Sequence, residues 1–110
     1  MITVYRGDSW PLVIAVSNTR TGVAVNVTGF SFKLTVDRKQ NPTASPSTTK
    51  VFDVAGVVTN GAAGEVTFTR TSANHATAGE FYYDIQLTNA SGNVKTIKKD
   101  LYIITQDITK

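Results

Sequence analysis

At 110 residues the chain falls in the commonest size range for one domain, able to bury roughly two-thirds of the surface its unfolded form exposes, so residues 1–110 are read as one unit. Its 41% apolar and 17% charged residues exclude the compositions of disordered chains, coiled coils and membrane spans. Cysteine is absent, which excludes disulfides and thiolate metal sites, and the net charge of +3 comes from scattered basic residues rather than the aromatic-interleaved stripe of a nucleic-acid reader.

The opening MITVYRGDSW lacks the charged start, apolar stretch and cleavage site of a signal peptide, and no run approaches the ~20 apolar residues a bilayer crossing needs. Synthesis in a cytoplasm-like compartment, where the chain stays until something assembles it, is the expectation, with neither membrane nor nucleic acid as a partner.

Polar and apolar residues alternate at period two in nearly every segment, and no window sustains a helical repeat. Strands are predicted over residues 2–5, 12–17, 30–37, 50–54, 65–70, 80–87 and 94–104. About seven strands with turn signals between them predict an all-β fold, an immunoglobulin-like two-sheet antiparallel β-sandwich. Four inward rows follow from the alternation: Leu12, Ile14 and Val16; Phe30, Phe32, Leu34 and Val36; Val66 and Phe68; Phe81, Tyr83, Ile85 and Leu87.

Between the strands, Gly7 is read as a bend, which leaves Arg6-Gly7-Asp8 a turn rather than an integrin-binding tripeptide. Residues 60–64 and 89–93 carry the asparagine and glycine of hairpin turns. Residues 41–49, with two prolines and several hydroxyls, make the longest loop. Residues 72–77 predict one helical turn capped by Ser72, crossing between sheets. The sequons at Asn26 and Asn89 go unused without a secretory signal.

No catalytic residue is assigned. The single histidine, His75, falls in the polar crossover and reads as a solvent-exposed loop residue without a catalytic or metal-binding partner. The carboxylates lack the clustered spacing that calcium requires. Neither a metal nor a cofactor is therefore expected, and the chain is read as not an enzyme. Tyr83 is either an ordinary core residue or a tyrosine corner whose hydroxyl returns to the 71–77 crossover. Trp10, beside Pro11, is either a partner-binding aromatic or a plug at the end of the fold.

The segment Leu101, Tyr102, Ile103, Ile104 breaks the alternation, since two of its four apolar side chains must point away from the core in either register. With Leu101 and Ile103 inward, Tyr102 and Ile104 face out and become partner-binding candidates with Trp10; a bulge near Lys98-Lys99 is plausible. The alternative is that the amino-terminal segment or the 41–49 loop covers Tyr102 and Ile104 within one chain.

Residues 2–10 (ITVYRGDSW), Val27-Thr28-Gly29-Phe30 leading into FKLTV at 32–36, GEFYYDIQL at 79–87 and the 89–93 hairpin follow one another in an order that resembles small immunoglobulin-like domains of tailed-bacteriophage virion proteins, similar to the N-terminal domain of upper baseplate proteins. The resemblance implies a non-enzymatic structural protein of the virion, docking on other virion proteins, as a homo-oligomer or in several copies. It leaves open a tail or baseplate accessory and a capsid decoration module. A carbohydrate-binding module using Trp10, Tyr5 and Tyr82 is the alternative, with a glycan as partner.

Overall fold

The computed structural model describes residues 1–18, 20–42 and 48–108, and it is all-β apart from one short 3₁₀ turn. The strands are β1 (Ile2–Tyr5), β2 (Leu12–Ala15), β3 (Ser31–Asp37), β4 (Lys50–Asn60), β5 (Glu65–Phe68), β6 (Gly79–Thr88) and β7 (Val94–Thr105), with the turn, η1, at Ser72–His75. They hydrogen-bond into one continuous mixed sheet in the order β1-β7-β6-β3-β4-β5-β2, curled into a half-barrel. Among the described strands only the β1–β7 pair is parallel.

The expectation of two separate antiparallel sheets is thus met only at the level of an all-β fold, and β4 is the reason. Predicted to end at Val54, it runs on to Asn60, pairing with β3 through its first half and β5 through its second. The two pairings overlap at Gly56, which faces Phe32 on one side and Phe68 on the other. A Cβ there would lie 2.8 Å from both Phe68 and Val66 and 2.9 Å from Phe32. Glycine at this point lets three strands close on the same core without overpacking.

The inward rows follow the alternation. Phe32, Leu34 and Val36 on β3, Val66 and Phe68 on β5, and Phe81, Tyr83 and Ile85 on β6 are all buried, while Leu12, Ile14, Val16, Phe30 and Leu87 pack partly buried against them. Val4, Val27 and Phe52 complete the core.

β7 takes the opposite face to the expected one. Phe81 points inward and pairs with Tyr102, so Tyr102 also points inward, and Ile104 follows two residues on. β1 lies alongside with Ile2 opposite Tyr102 and Val4 opposite Ile104, extending that layer of the core. Tyr102 is fully buried and Ile104 is 2% exposed, so neither is available to a partner. Leu101 and Ile103 take the outer face, partly buried. A bulge does interrupt β7, but around Ile97, where Ile85 pairs with Lys98 and Gln86 with Thr96.

The registers collect the connections at two ends. Residues 6–11, 38–42, 48–49, 69–78 and 106–108 lie at one, and residues 16–18, 20–30, 61–64 and 89–93 at the other. Positive φ at Gly7, Gly64 and Gly92 fits the bend and both predicted hairpins. Of the 41–49 loop, residues 43–47 lie outside the described residues; its base is tied by the Thr49 hydroxyl and the Lys39 amide, both donating to Asp37 Oδ1, at 2.7 and 2.8 Å.

Candidate functional site

The most structured polar cluster sits under the loop of residues 6–11. Arg70 lies two residues beyond Phe68 on the inward parity of β5 and is 6% exposed. Its Nε and Nη2 donate to the carbonyl of Trp10 at 3.0 and 2.7 Å, and its Nη1 donates to the Tyr102 hydroxyl at 3.0 Å. One guanidinium therefore ties the approach to β2 to the middle of β7.

His75 continues the chain. The η1 turn is closed by a capping box, in which the Asn74 amide donates to Thr71 Oγ1 and the Thr71 amide donates to Asn74 Oδ1. This turn directs His75 into the core with no exposed surface, which overturns the reading of an exposed loop histidine. Its Nδ1 is 2.6 Å from the Asp8 carbonyl and its Nε2 is 2.6 Å from the Tyr102 hydroxyl. Because a carbonyl only accepts, Nδ1 carries the proton and Nε2 accepts from the tyrosine. Each donor then has an acceptor: Arg70 to Tyr102, Tyr102 to His75, His75 to Asp8.

Aromatic packing holds the rings. His75 stacks on Tyr102 with centroids 5.7 Å apart, and Phe52 meets both edge-on at 5.7 and 5.8 Å. Burial lowers the His75 pKa from the ordinary imidazole range, and the Arg70 charge acts in the same direction against the neighbouring Asp8. Burial raises the Tyr102 hydroxyl, with Arg70 opposing. The assembly is a sealed staple.

What the staple holds outward is Trp10. Its carbonyl is clamped, yet its side chain is 81% exposed, so it is not a plug. The loop is fixed further by Gly7 N–H donating to the His75 carbonyl and Arg6 N–H donating to the Thr105 carbonyl, both at 2.8 Å. Arg6 also pairs with Asp107 at 3.6 Å, which occupies the guanidinium of the Arg-Gly-Asp turn.

The other sequence candidates separate. Tyr5 is exposed on the outer face of β1 opposite Thr105, and Tyr82 is partly buried on the outer face of β6 opposite Leu101. The two tyrosines are thus on one face, offset by four β7 residues or roughly 14 Å, with Ile103 between them. Tyr83 is buried core, edge-on to Tyr102, and among the described residues its hydroxyl makes no bond to the crossover. Burial, with Asp100 second, raises its pKa. The corner-like bond belongs to Tyr102 instead.

A second, polar concavity of about 430 Å³ lies on the outer face of β3, β4, β6 and β7. Two of its lysines share one carboxylate: Lys50 and Lys33 both pair with Asp53 and lower its pKa, chiefly through the Lys50 hydrogen bond, while Lys99, opposite Asp84 in the ladder, donates to Asn41 Oδ1 at 2.8 Å. Among the described residues no group of three or more His, Cys, Asp or Glu is placed to hold a metal ion.

No family model matches the chain, and no curated protein matches it in sequence.

Proposed function

We propose that this chain is a non-catalytic attachment module, a structural protein of a phage virion that docks on a protein partner through the loop carrying Trp10. The supporting observation is a large aromatic side chain, 81% exposed, on backbone clamped by a buried arginine. Presenting a tryptophan on a held backbone suits binding, because less loop freedom is lost on docking and aromatic anchors dominate the energetics of interfaces. The phage setting and a multi-copy arrangement rest on the sequence resemblance described above.

We also read the half-barrel as an opened immunoglobulin-like sandwich. Strands β1, β7, β6 and β3 supply one layer and β5 and β2 the other, with β4 running through both, an order compatible with Greek-key neighbours. The exposure of Trp10 and Tyr5 favours a second reading, glycan binding, because an aromatic face can stack on a sugar ring.

Trp10→Ala separates these readings. The variant should fold normally yet fail to co-assemble with purified particles, in which mass spectrometry finds the wild-type chain. Wild-type protein missing from particles would overturn the virion setting, and undiminished assembly of the variant would overturn the role of Trp10. Glycan-array binding abolished by the same substitution would establish the second reading.

A further inference from the structure

The open side of the half-barrel carries a different surface. Between the inward row of β2 and the concave side of β6 and β7 runs a groove of about 680 Å³ with an apolar floor that includes Leu12, Ile14, Ile85 and Ile97. Its size and lining are those of a binding cleft. Among the described residues Lys95 and Lys98 are the only charged ones along it. They pair with Leu87 and Ile85, both on the inward side of β6, so two lysines stand on the concave face where apolar side chains would complete a core. Among the described residues neither forms a salt bridge; Asp100, the nearest carboxylate along β7, is held by the Met1 ammonium at 2.7 Å.

The groove is flanked by an unused strand edge. Among the described residues β2 ends the sheet and pairs with β5 alone. Beyond Ala15 the chain turns back on itself, the Val25 amide donating to the Val16 carbonyl and Ser17 bridging Ala24, while the Val16 amide donates to the Gly64 carbonyl next to β5. The backbone of Leu12–Ala15 is thus left open alongside the cleft. A strand added there would set every second side chain over the apolar floor.

We infer that this groove receives an extended segment of a partner protein, added as a strand to the free edge of β2, with apolar residues facing inward and carboxylates meeting Lys95 and Lys98. Charge complementarity sets the acidic character of the segment, and the open backbone favours a peptide over a small amphiphile. The site is separate from Trp10, so the two can fail independently.

The test uses the full chain and a fluorescein-labelled peptide of sequence Glu-Thr-Val-Thr-Val-Thr-Glu, followed by anisotropy and amide NMR shifts. Saturable binding should perturb the amides of residues 12–15, persist in Trp10→Ala, and weaken on the order of tenfold in a Lys95→Glu, Lys98→Glu double variant. Both lysines are exposed, so this variant should fold. Replacing the peptide's glutamates by lysines should abolish binding. No saturable binding, or binding insensitive to the charge reversal, would overturn the inference. Laurate occupying the groove where the peptide does not would overturn it in favour of a small anionic amphiphile.

Discussion

The two halves of the curled sheet meet differently along its length. Under the loop of residues 6–11 they are joined by Arg70, Tyr102 and His75, a chain in which every donor has one acceptor. Toward the 89–93 hairpin they part, and the inward row of β2 faces a groove rimmed by Lys95 and Lys98. Apolar rows alone supply a non-directional attraction that a short edge strand satisfies incompletely. Directional bonds in a low-dielectric interior fix one geometry and penalise its alternatives. The stapled region accordingly holds a fixed loop, and among the described residues the parted region keeps two lysines outside any salt bridge.

Breaking the staple should have the largest effect. Arg70→Ala removes two bonds to the Trp10 carbonyl and one to the Tyr102 hydroxyl, leaving a carbonyl without its charged donor. A loss of about 3 kcal/mol is expected, measured by denaturant unfolding, with Trp10 fluorescence becoming more mobile. A loss under about 0.5 kcal/mol would mean that the apolar rows close this end unaided.

Much of this division is legible in the residues and some is not. Alternation places the rows of β3, β5 and β6 because each has one buried and one open face. It fails on β7, where four consecutive apolar residues fit either parity and only the pairing of Phe81 with Tyr102 decides. The length of β4 past Val54 is hidden because Gly56 looks like a break, whereas it is the place where three strands approach. Arg70 did carry a signal: it continues the inward parity of Val66 and Phe68. His75 carried none, since its two ring partners, Asp8 and Tyr102, are both distant in sequence.

The two inward tyrosines sharpen the comparison. Tyr102→Phe leaves His75 Nε2 and one Arg70 N–H without their partner, and should cost about 2 kcal/mol. Tyr83→Phe removes a hydroxyl that bonds nothing in the crossover, and should cost no more than about 0.5 kcal/mol. Equal losses in paired chemical denaturations would show that burial, not the hydrogen-bond chain, sets the value of these hydroxyls.

The smallest effect is a slope with pH. Neutral His75 accepts from Tyr102; a second proton on Nε2 would leave the tyrosine hydroxyl's hydrogen without an acceptor and put a charge beside Arg70. Burial, the leading cause, lowers the folded pKa below the unfolded value of about 6.5. The unfolded chain therefore binds the proton first, and stability is fully present above about pH 6.5 and falls as pH drops below it. One such group contributes at most about 1.4 kcal/mol per pH unit. The carboxylates act lower: Asp53 and Asp100, held down by Lys50 and by the amino terminus, lose their contribution only below the ordinary carboxylate range. Asp84, raised by burial, works in the opposite sense, its penalty appearing as it ionises. Of these groups His75 is the one whose contribution begins to fall as pH drops below about 6.5. His75→Gln should be less stable at neutral pH yet lack this slope, and the His75 ring protons of the wild type should titrate below the ordinary imidazole range. Parallel stability curves for the two proteins would remove His75 as the acid-sensitive element of the staple.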